Sequence, residues 1–253
     1  MGALHRGHAA LIEAAARENE IVVVSIFVNP TQFAPHEDLD KYPRTLEADL
    51  ALCDEYGSQL VFHPTPDVIY PPNFETFVEV EHVTARFEGE HRPTHFRGVT
   101  TVVLKLLNIV LPDRAYFGQK DFQQQLVIRQ MVRDLDVPVE IITVPTWRDS
   151  DGLALSSRNK YLSAEERERA LVLSRVLRKT ADQLQAGETD LQMLVTQGVV
   201  EITEAGLKPD YFSIADADTL EKLKSPKADM VLLVAAHAGS TRLIDNVTVH
   251  LAS

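Results

Sequence analysis

The stretch EIVVVSIFV, at residues 20–28, decides the fold class of this chain. It is nearly continuous in β-branched residues, a pattern typical of a strand buried on both faces of a parallel sheet. Helices are predicted at residues 45–56, 99–110 and 121–135, and further strands at 59–63, 77–83, 115–117 and 139–144. This alternation predicts an α/β fold, with a Rossmann-like parallel sheet flanked by helices.

The pattern changes after Trp147. Two long helices are predicted at residues 164–186 and 190–205, and strands follow at 210–216, 229–236 and 242–250. We therefore expect two domains: residues 1–146, which contain the parallel sheet, and residues 147–253, a smaller α+β C-terminal domain.

Composition excludes several classes of function. The 253 residues carry a formal net charge of −12, which argues against nucleic-acid binding because that depends on clustered Lys and Arg. A single cysteine, Cys53, excludes an intrachain disulfide and a cysteine zinc cluster, and it fits a reducing cytoplasm. The apolar run at residues 21–28 is too short to span a bilayer, so we expect a soluble cytoplasmic protein without a membrane partner.

A histidine pair opens the chain. In MGALHRGH, at residues 1–8, His5 and His8 directly precede an alanine-rich run that is predicted to be helical. The N-terminus of a helix presents unpaired amides and a positive dipole end, so it favours anions such as phosphate. If this motif stood alone, the simpler interpretation would be that His5 and His8 are surface histidines without a function.

Other donors occur in distant segments. The chain contains neither of the common glycine-rich phosphate motifs, so phosphate binding would depend on side chains such as Lys120, Ser156, Ser157 and Arg158. Taken singly, the lysine is typical of a solvated helix start and the serines of helix caps. Their occurrence together with the histidine pair favours a site for a phosphate chain.

Seven motifs occur together in one order: MGALHRGH at 1–8, FVNPTQF at 27–33, YPRT at 42–45, RPTHFRGV at 92–99, FGQKDFQQ at 117–124, DGLALSSRN at 151–159 and TRLIDN at 241–246. The first and sixth alone indicate the wider superfamily of nucleotidyltransferases and class I aminoacyl-tRNA synthetases. With the middle motifs, the chain closely resembles the pantothenate synthetases, the ATP-dependent ligases that join pantoate to β-alanine in the synthesis of a coenzyme A precursor.

The resemblance implies roles for individual residues. Gln32 and Gln124 would bind pantoate, Gln32 would also lie near β-alanine, and His8 would be the proton donor. Catalysis would involve His5, His8, Lys120, Ser156, Ser157 and Arg158. The residues implied in ATP binding are Met1, His5, His8, Gly118, Gln119, Lys120, Asp121, Trp147, Leu155, Ser156, Ser157 and Arg158.

The implied reaction has two steps. Pantoate first attacks ATP to give pantoyl adenylate and pyrophosphate, and β-alanine then displaces AMP. Mg²⁺ would accompany ATP, the C-terminal domain would act as a lid, and the protein would be a homodimer. Tyr42, Arg92 and His95 match motifs around the pocket, where a structural role is as reasonable as contact with a substrate, and Asp49 is a candidate for the neighbourhood of the metal.

The sequence departs from the family pattern at three places. Thr94 replaces a usual glycine, which would alter a turn if the position needs positive φ, and Trp147 replaces a smaller apolar residue beside the adenine. Family members also carry a helix and a strand before the histidine motif. The domain of residues 1–146 is therefore expected to lack its first strand, so that the strand at 20–28 loses a neighbour.

Other functions compete with this interpretation. An adenylyltransferase acting on another small acid or phosphate would share the histidine pair and Lys120 but would not need Gln32 and Gln124. Loss of the first strand would alternatively leave an inactive nucleotide-binding or dimerising remnant. Metal binding by His5 and His8 has no obvious third and fourth ligand in the sequence.

Overall fold

The computed structural model describes residues 2–34 and 39–251. Contacts divide the chain into two compact units, Met1–Pro145 and Thr146–Ser253. Within the described residues, no helix is both long enough and apolar enough to cross a membrane.

The first unit alternates helices and short parallel strands. Its elements are α1 (Arg6–Glu18), β1 (Val23–Ser25), a 3₁₀ turn (Pro30–Gln32), α2 (Leu46–Glu55), β2 (Leu60–Phe62), the short helices α3 (Pro66–Ile69) and α4 (Glu88–His91), α5 (His95–Val110), β3 (Arg114–Gly118), a 3₁₀ turn (Gln119–Asp121), α6 (Phe122–Asp134) and β4 (Glu140–Val144). Parallel strands with helical connections confirm the predicted α/β class.

The parallel strands form two separate pairs. Strand β1 pairs with β2, from Val23 opposite Leu60, and β3 pairs with β4, from Arg114 opposite Glu140. Among the described residues neither β1 nor β3 has a second strand partner. Only three residues of the stretch predicted as a strand at 20–28 therefore lie in a ladder. Val22, Val24 and Ile26 are nevertheless buried with side chains of α1 and α2, whereas Ile21 is exposed.

The prediction of a strand at residues 77–83 is wrong, because this segment pairs with no strand among the described residues and has no regular secondary structure. Its apolar side chains Val78, Val80 and Val83 pack against the surrounding helices, which explains the alternating pattern. The main chain of Val78 is satisfied by helix α5: its N–H donates to the Thr101 hydroxyl at 3.0 Å and its carbonyl accepts from the Thr100 hydroxyl at 2.6 Å. Side-chain hydroxyls thus replace the strand neighbour that the prediction assumed.

The backbone conformation at position 94 does not require a glycine. It precedes α5 as the N-cap residue, with φ of −96°, which any residue with a side chain adopts readily. The turn that we considered sensitive to the replacement therefore accommodates threonine.

The second unit is an antiparallel sheet covered by two helices. Its elements are a 3₁₀ helix (Ser157–Tyr161), α7 (Ala164–Gln185), α8 (Leu191–Glu204) and strands β5 (Lys208–Asp216), β6 (Asp229–Ala238) and β7 (Thr241–His250). The strand order is β5-β6-β7, and the central strand is buried along almost its whole length. Ser163 and Glu166 form a capping box that starts α7.

Candidate active site

The histidine pair lies at the start of α1, as the sequence predicts. His5 is the N-cap residue, and its Nδ1 accepts a hydrogen bond from the Gly7 N–H at 3.2 Å. The His5 N–H donates to His8 Nδ1 at 3.1 Å, and the two ring centroids are 4.0 Å apart. Both Nδ1 atoms therefore act as acceptors, so a neutral ring in either position carries its proton on Nε2.

His8 is held in the neutral form. Burial lowers the pKa of its imidazole well below 6.5, and the charges of His5 and Lys120 lower it further. A neutral ring with its proton on Nε2 is a hydrogen-bond donor and not a general base. This arrangement can stabilise negative charge that develops on an oxygen beside α1.

Lys120 lies in the 3₁₀ turn between β3 and α6, with its Nζ 4.0 Å from the Asp121 carboxylate. Because its charge affects the pKa of His8, the two side chains share one electrostatic environment. A Cβ added at Gly118, the last residue of β3, would meet no atom within 4 Å. The carboxyl end of β3 thus presents a cation beside open space, where ligands bind in open α/β sheets.

Gln32 is held by its main chain. Its carbonyl accepts hydrogen bonds from His95 Nδ1 at 3.0 Å and from Arg92 Nη2 at 3.4 Å. A Cβ at Gly98 would lie 2.4 Å from the Thr31 carbonyl oxygen, so only glycine lets α5 approach this turn closely. Arg92 and His95 therefore position Gln32, which is the structural role that we considered for them.

Asn29 orients the Gln32 amide. The Asn29 side chain is 2 % exposed, and its Nδ2 donates to the Gly98 carbonyl at 3.1 Å and to Gln32 Oε1 at 3.3 Å. Tyr70 donates to Asn29 Oδ1 at 2.8 Å, which completes the support. With Oε1 engaged, the Gln32 NH₂ group can donate to a carboxylate.

Helix α6 carries three consecutive glutamines with different environments. Gln123 is buried, and its amide bonds the main chain at Val83, Arg86 and Glu88. Gln125 is also buried and accepts from Arg129 and Thr143. Within residues 2–34 and 39–251, the amide of Gln124 forms no hydrogen bond, so it is available to a ligand.

The second unit presents the serine motif beside a short hairpin. The main chains of Arg148 and Ala154 form an antiparallel β-bridge, and the Leu155 N–H donates to the Trp147 carbonyl at 3.0 Å. Ser156 then caps the 3₁₀ helix, with its Oγ accepting from the Arg158 N–H at 3.2 Å.

The serines have different surroundings: Ser157 is buried, whereas Ser156 is half-buried. Trp147 is 43 % exposed, which leaves much of its ring accessible within this unit. Met1, the remaining residue implied in ATP binding, lies outside the described residues.

The part of the chain that the structure describes contains no group of three His, Cys, Asp or Glu side chains arranged to hold a metal ion. The alternative in which His5 and His8 bind a metal therefore gains no third ligand. Their Nδ1 atoms are instead engaged with main-chain N–H groups.

The sequence model of the pantoate–β-alanine ligases matches residues 1–248. The chain belongs to the pantoate–β-alanine ligase family. It is an enzyme that joins pantoate to β-alanine at the expense of ATP, as the resemblance carried by the seven motifs led us to expect.

Curated relatives of this ligase cover nearly the whole chain. A pantothenate synthetase of Moorella thermoacetica is 52 % identical over 252 residues, which are 99 % of this chain and 89 % of the relative. One from Stutzerimonas stutzeri is 52 % identical over 253 residues, covering 99 % and 88 %.

Solved structures show the same fold. A crystal structure of pantothenate synthetase from Thermus thermophilus superposes with a TM-score of 0.95 at 48 % identity, covering 98 % of this chain and 90 % of that one. A ligase from Francisella tularensis, crystallised with β,γ-ATP and β-alanine, has a TM-score of 0.80 at 38 % identity and covers 98 % and 86 %.

Two features of the ligase site escaped the sequence analysis. Asn29 stands inside the FVNPTQF motif, yet no pattern showed that its amide orients Gln32. Asp49 was noted only as a candidate near the metal, whereas the structure shows its carboxylate bonded to main-chain N–H groups ahead of the histidines.

Proposed function

We propose that this ligase works through a pantoyl adenylate, and that the histidine pair on α1 stabilises its formation. The observation that supports the proposal most is the neutral His8, which presents an Nε2 proton at a helix N-terminus and shares an electrostatic environment with the Lys120 cation. In this step a pantoate carboxylate oxygen bonds to the α-phosphorus of ATP. The bond from that phosphorus to the bridging oxygen breaks, and pyrophosphate leaves.

The first step needs charge stabilisation more than a base. Pantoate is already ionised near neutral pH, while negative charge grows on the phosphate oxygens as the bond to pyrophosphate breaks. Hydrogen bonds from the rings of His5 and His8 and the positive charge of Lys120 suit this task. A neutral imidazole can donate a hydrogen bond from Nε2 to a phosphate oxygen without first taking up a proton.

The glutamines would select pantoate. Gln32 is oriented by Asn29 to donate from its NH₂ group, and the Gln124 amide, which has no partner among residues 2–34 and 39–251, can both donate and accept. We propose that they bind the carboxylate and hydroxyl groups of pantoate, with Gln32 also close to the β-alanine position. In the second step the β-alanine nitrogen bonds to the acyl carbon, the carbon–oxygen bond to phosphate breaks, and AMP leaves as the amine loses a proton.

The nucleotide would extend along the carboxyl end of β3. We propose that Gly118 and Gln119 contact ATP through their main chain, that Lys120 binds its phosphates and that Asp121 binds the ribose hydroxyls. The open space above Gly118 and the half-exposed carboxylate of Asp121 support these roles. Met1 is proposed as a further ATP contact.

The second unit is proposed to be a lid that supplies donors to the triphosphate. Leu155, Ser156, Ser157 and Arg158 would form the loop that closes on it, and Trp147 would lie against the adenine. The loop follows directly from the hairpin stabilised by Arg148, which supports a well-defined conformation for its donors. Closure of such a loop would also protect the adenylate from water.

Magnesium is proposed to enter as part of MgATP. Proteins usually hold Mg²⁺ by one or two carboxylates together with substrate phosphates, which agrees with the absence of a three-residue cluster within the described residues. The ion would neutralise phosphate charge.

We also propose a cytoplasmic homodimer. The lone thiol of Cys53 is buried, which suits a reducing compartment. Light scattering at several protein concentrations would test the dimer.

Exchange of labelled pyrophosphate into ATP tests the two-step scheme. The first half-reaction is reversible by itself, so we expect exchange that requires pantoate and proceeds without β-alanine. Exchange that strictly needs β-alanine would exclude a free-standing adenylate intermediate.

A further inference from the structure

The buried carboxylate of Asp49 holds the main chain directly ahead of the histidine pair. Its Oδ2 accepts the Ala3 N–H at 2.9 Å and its Oδ1 accepts the Leu4 N–H at 2.8 Å. The Thr45 hydroxyl donates to Oδ1 at 3.1 Å, and the Asp49 side chain is 2 % exposed. A carboxylate buried on α2 is thus stabilised by donors from the segment that leads to His5.

The bonded segment has a backbone conformation that needs support. Ala3 has φ of 50°, in the left-handed region that disfavours residues with a side chain. It is also completely buried, so its main chain cannot exchange bonds with water. The two bonds to Asp49 fix this conformation from a different element, because Asp49 lies 46 residues further along the chain.

The orientation of the rings depends on this segment. His5 follows Leu4 directly, and the His5 N–H must point along the axis of α1 to reach His8 Nδ1. A main chain that turned differently at Ala3 and Leu4 would move the N-cap residue and break this bond. The tautomer of His8 would then no longer be fixed.

We propose that Asp49 is a positioning residue for adenylation: by binding the main chain at Ala3 and Leu4, it aims the Nε2 protons of His5 and His8 at the phosphate. Asp49 contacts neither substrate nor metal in this role. The inference rests on the proposed function of the histidine pair.

The direct test is Asp49→Asn, which replaces one acceptor oxygen with a donor that faces a main-chain N–H. We expect the maximal rate of pantoate-dependent pyrophosphate exchange to fall by about 10²-fold, the scale of an ångström of misplacement at a reacting centre. The KM for pantoate and the Mg²⁺ concentration that gives half-maximal rate should not change. Glu47→Gln is the matched control, because it removes the same charge from an exposed position on the same helix and should leave the rate unchanged.

A double-mutant cycle separates positioning from general destabilisation. If Asp49 acts through the rings, Asp49→Asn should cost less rate in a His8→Ala background than in the wild type, because only its effect on His5 remains. Full additivity of the two losses would overturn the inference. Recovery of the Asp49→Asn rate at high Mg²⁺ would also overturn it, because it would make Asp49 a metal ligand.

A second variant covers the case in which Asp49→Asn does not fold. Asp49→Glu keeps the charge but displaces the carboxylate by one methylene, so we expect a loss of about 10-fold in maximal rate at unchanged KM for pantoate. A wild-type rate in Asp49→Glu would contradict the inference. A wild-type rate in His8→Ala alone would instead remove the proposed function of the histidines, so the two failures are distinguishable.

Discussion

The guanidinium of Arg148 binds the carboxylate of Asp245 in a bidentate ion pair, with Nη1–Oδ2 and Nη2–Oδ1 distances of 2.7 and 2.9 Å. Arg148 also donates to the carbonyls of Gly152 and Asn246. The pair therefore joins the hairpin that precedes the serine motif to strand β7. Only 4 % of the Asp245 side chain is exposed, so the pair lies in a region of low dielectric constant.

Asp245→Ala should destabilise the second unit by about 3–5 kcal/mol, because it leaves the Arg148 guanidinium largely buried without its counter-ion. Chemical denaturation would measure the change. The matched control is Glu165→Gln, which breaks an exposed ion pair with Arg169 on α7 and should cost less than about 1 kcal/mol. Equal losses in the two variants would contradict the importance of burial.

His8→Ala should reduce the rate of pyrophosphate exchange by about 10²–10³-fold, the loss typical of removing one preorganised donor. His8→Gln should retain more activity than His8→Ala, since its amide can still donate. His250→Ala, at an exposed position in β7, is the control and should leave the rate unchanged. Near-normal exchange in His8→Ala would remove His8 from its proposed role.

Lys120→Ala should raise the pKa of His8, because the lysine charge disfavours the protonated ring. The same variant should lower the exchange rate. NMR titration of the His8 ring nitrogens in both proteins measures the shift. In the wild type, His8 should remain neutral as the pH falls through the ordinary histidine range. An unchanged His8 pKa would show that the two side chains do not share one environment.

Gln124→Ala should raise the KM for pantoate while the KM for ATP and the melting temperature stay near their wild-type values. The Gln124 amide has no partner within the described residues, so its removal breaks no hydrogen bond within that part of the protein. Only a pantoate carboxylate or hydroxyl group would lose its partner. Gln123→Ala is the contrasting variant. It should lower the melting temperature, because the main chain at Val83, Arg86 and Glu88 loses its bonds.

Asp216→Asn should destabilise the protein by about 1 kcal/mol at pH 7, since solvent screens the exposed Lys227 partner, and the loss should disappear in acid. The Lys227 ammonium, 2.7 Å away, and the N–H groups of Asp218 and Thr219 lower the pKa of Asp216 to about 2 from 3.8. Because the folded pKa is depressed, the stabilisation is present above about pH 4 and is lost as the pH falls through about 2.

Denaturation at a series of pH values measures that dependence. Asp218→Asn, at an exposed position in the same turn, is the control and should destabilise the protein much less than Asp216→Asn at pH 7. A pH-independent difference between wild type and Asp216→Asn would contradict the ion-pair explanation.

Local patterns predicted the long helices, although α5 begins at His95, four residues before its predicted start, and the short helices α3 and α4 were missed. Thr45 stands at the predicted start of α2, although its side chain makes no capping hydrogen bond. The helix predicted from residue 164 begins there, where Ser163 and Glu166 form a capping box within one turn. The alternating segment at 77–83 misled the prediction. Period-two burial there arises from packing against helices, and the partners of Val78 are hydroxyls on α5, more than twenty residues away.

The motifs of the site could be predicted from the sequence, but the hydrogen bonds that hold its side chains in place could not. The sequence marked His5, His8 and Lys120, and the structure brings His8 and Lys120 into one electrostatic environment. Residue type alone does not rank the glutamines at 123–125, and only the family resemblance pointed to Gln124, since their roles depend on which face of α6 each one occupies. Which of them is engaged is decided by contacts with segments far along the chain.

By itself, the sequence determined the α/β class, the positions of the long helices and the chemistry of the donor groups, because these depend on neighbouring residues and on side-chain type. Only the tertiary structure decided that Asp49 fixes the main chain ahead of His5, that Asn29 orients Gln32 and that Arg148 pairs with Asp245. Each of these contacts is made by short-range hydrogen bonds. Distance in space controls such bonds, and nothing in local sequence encodes which distant residue will be the partner.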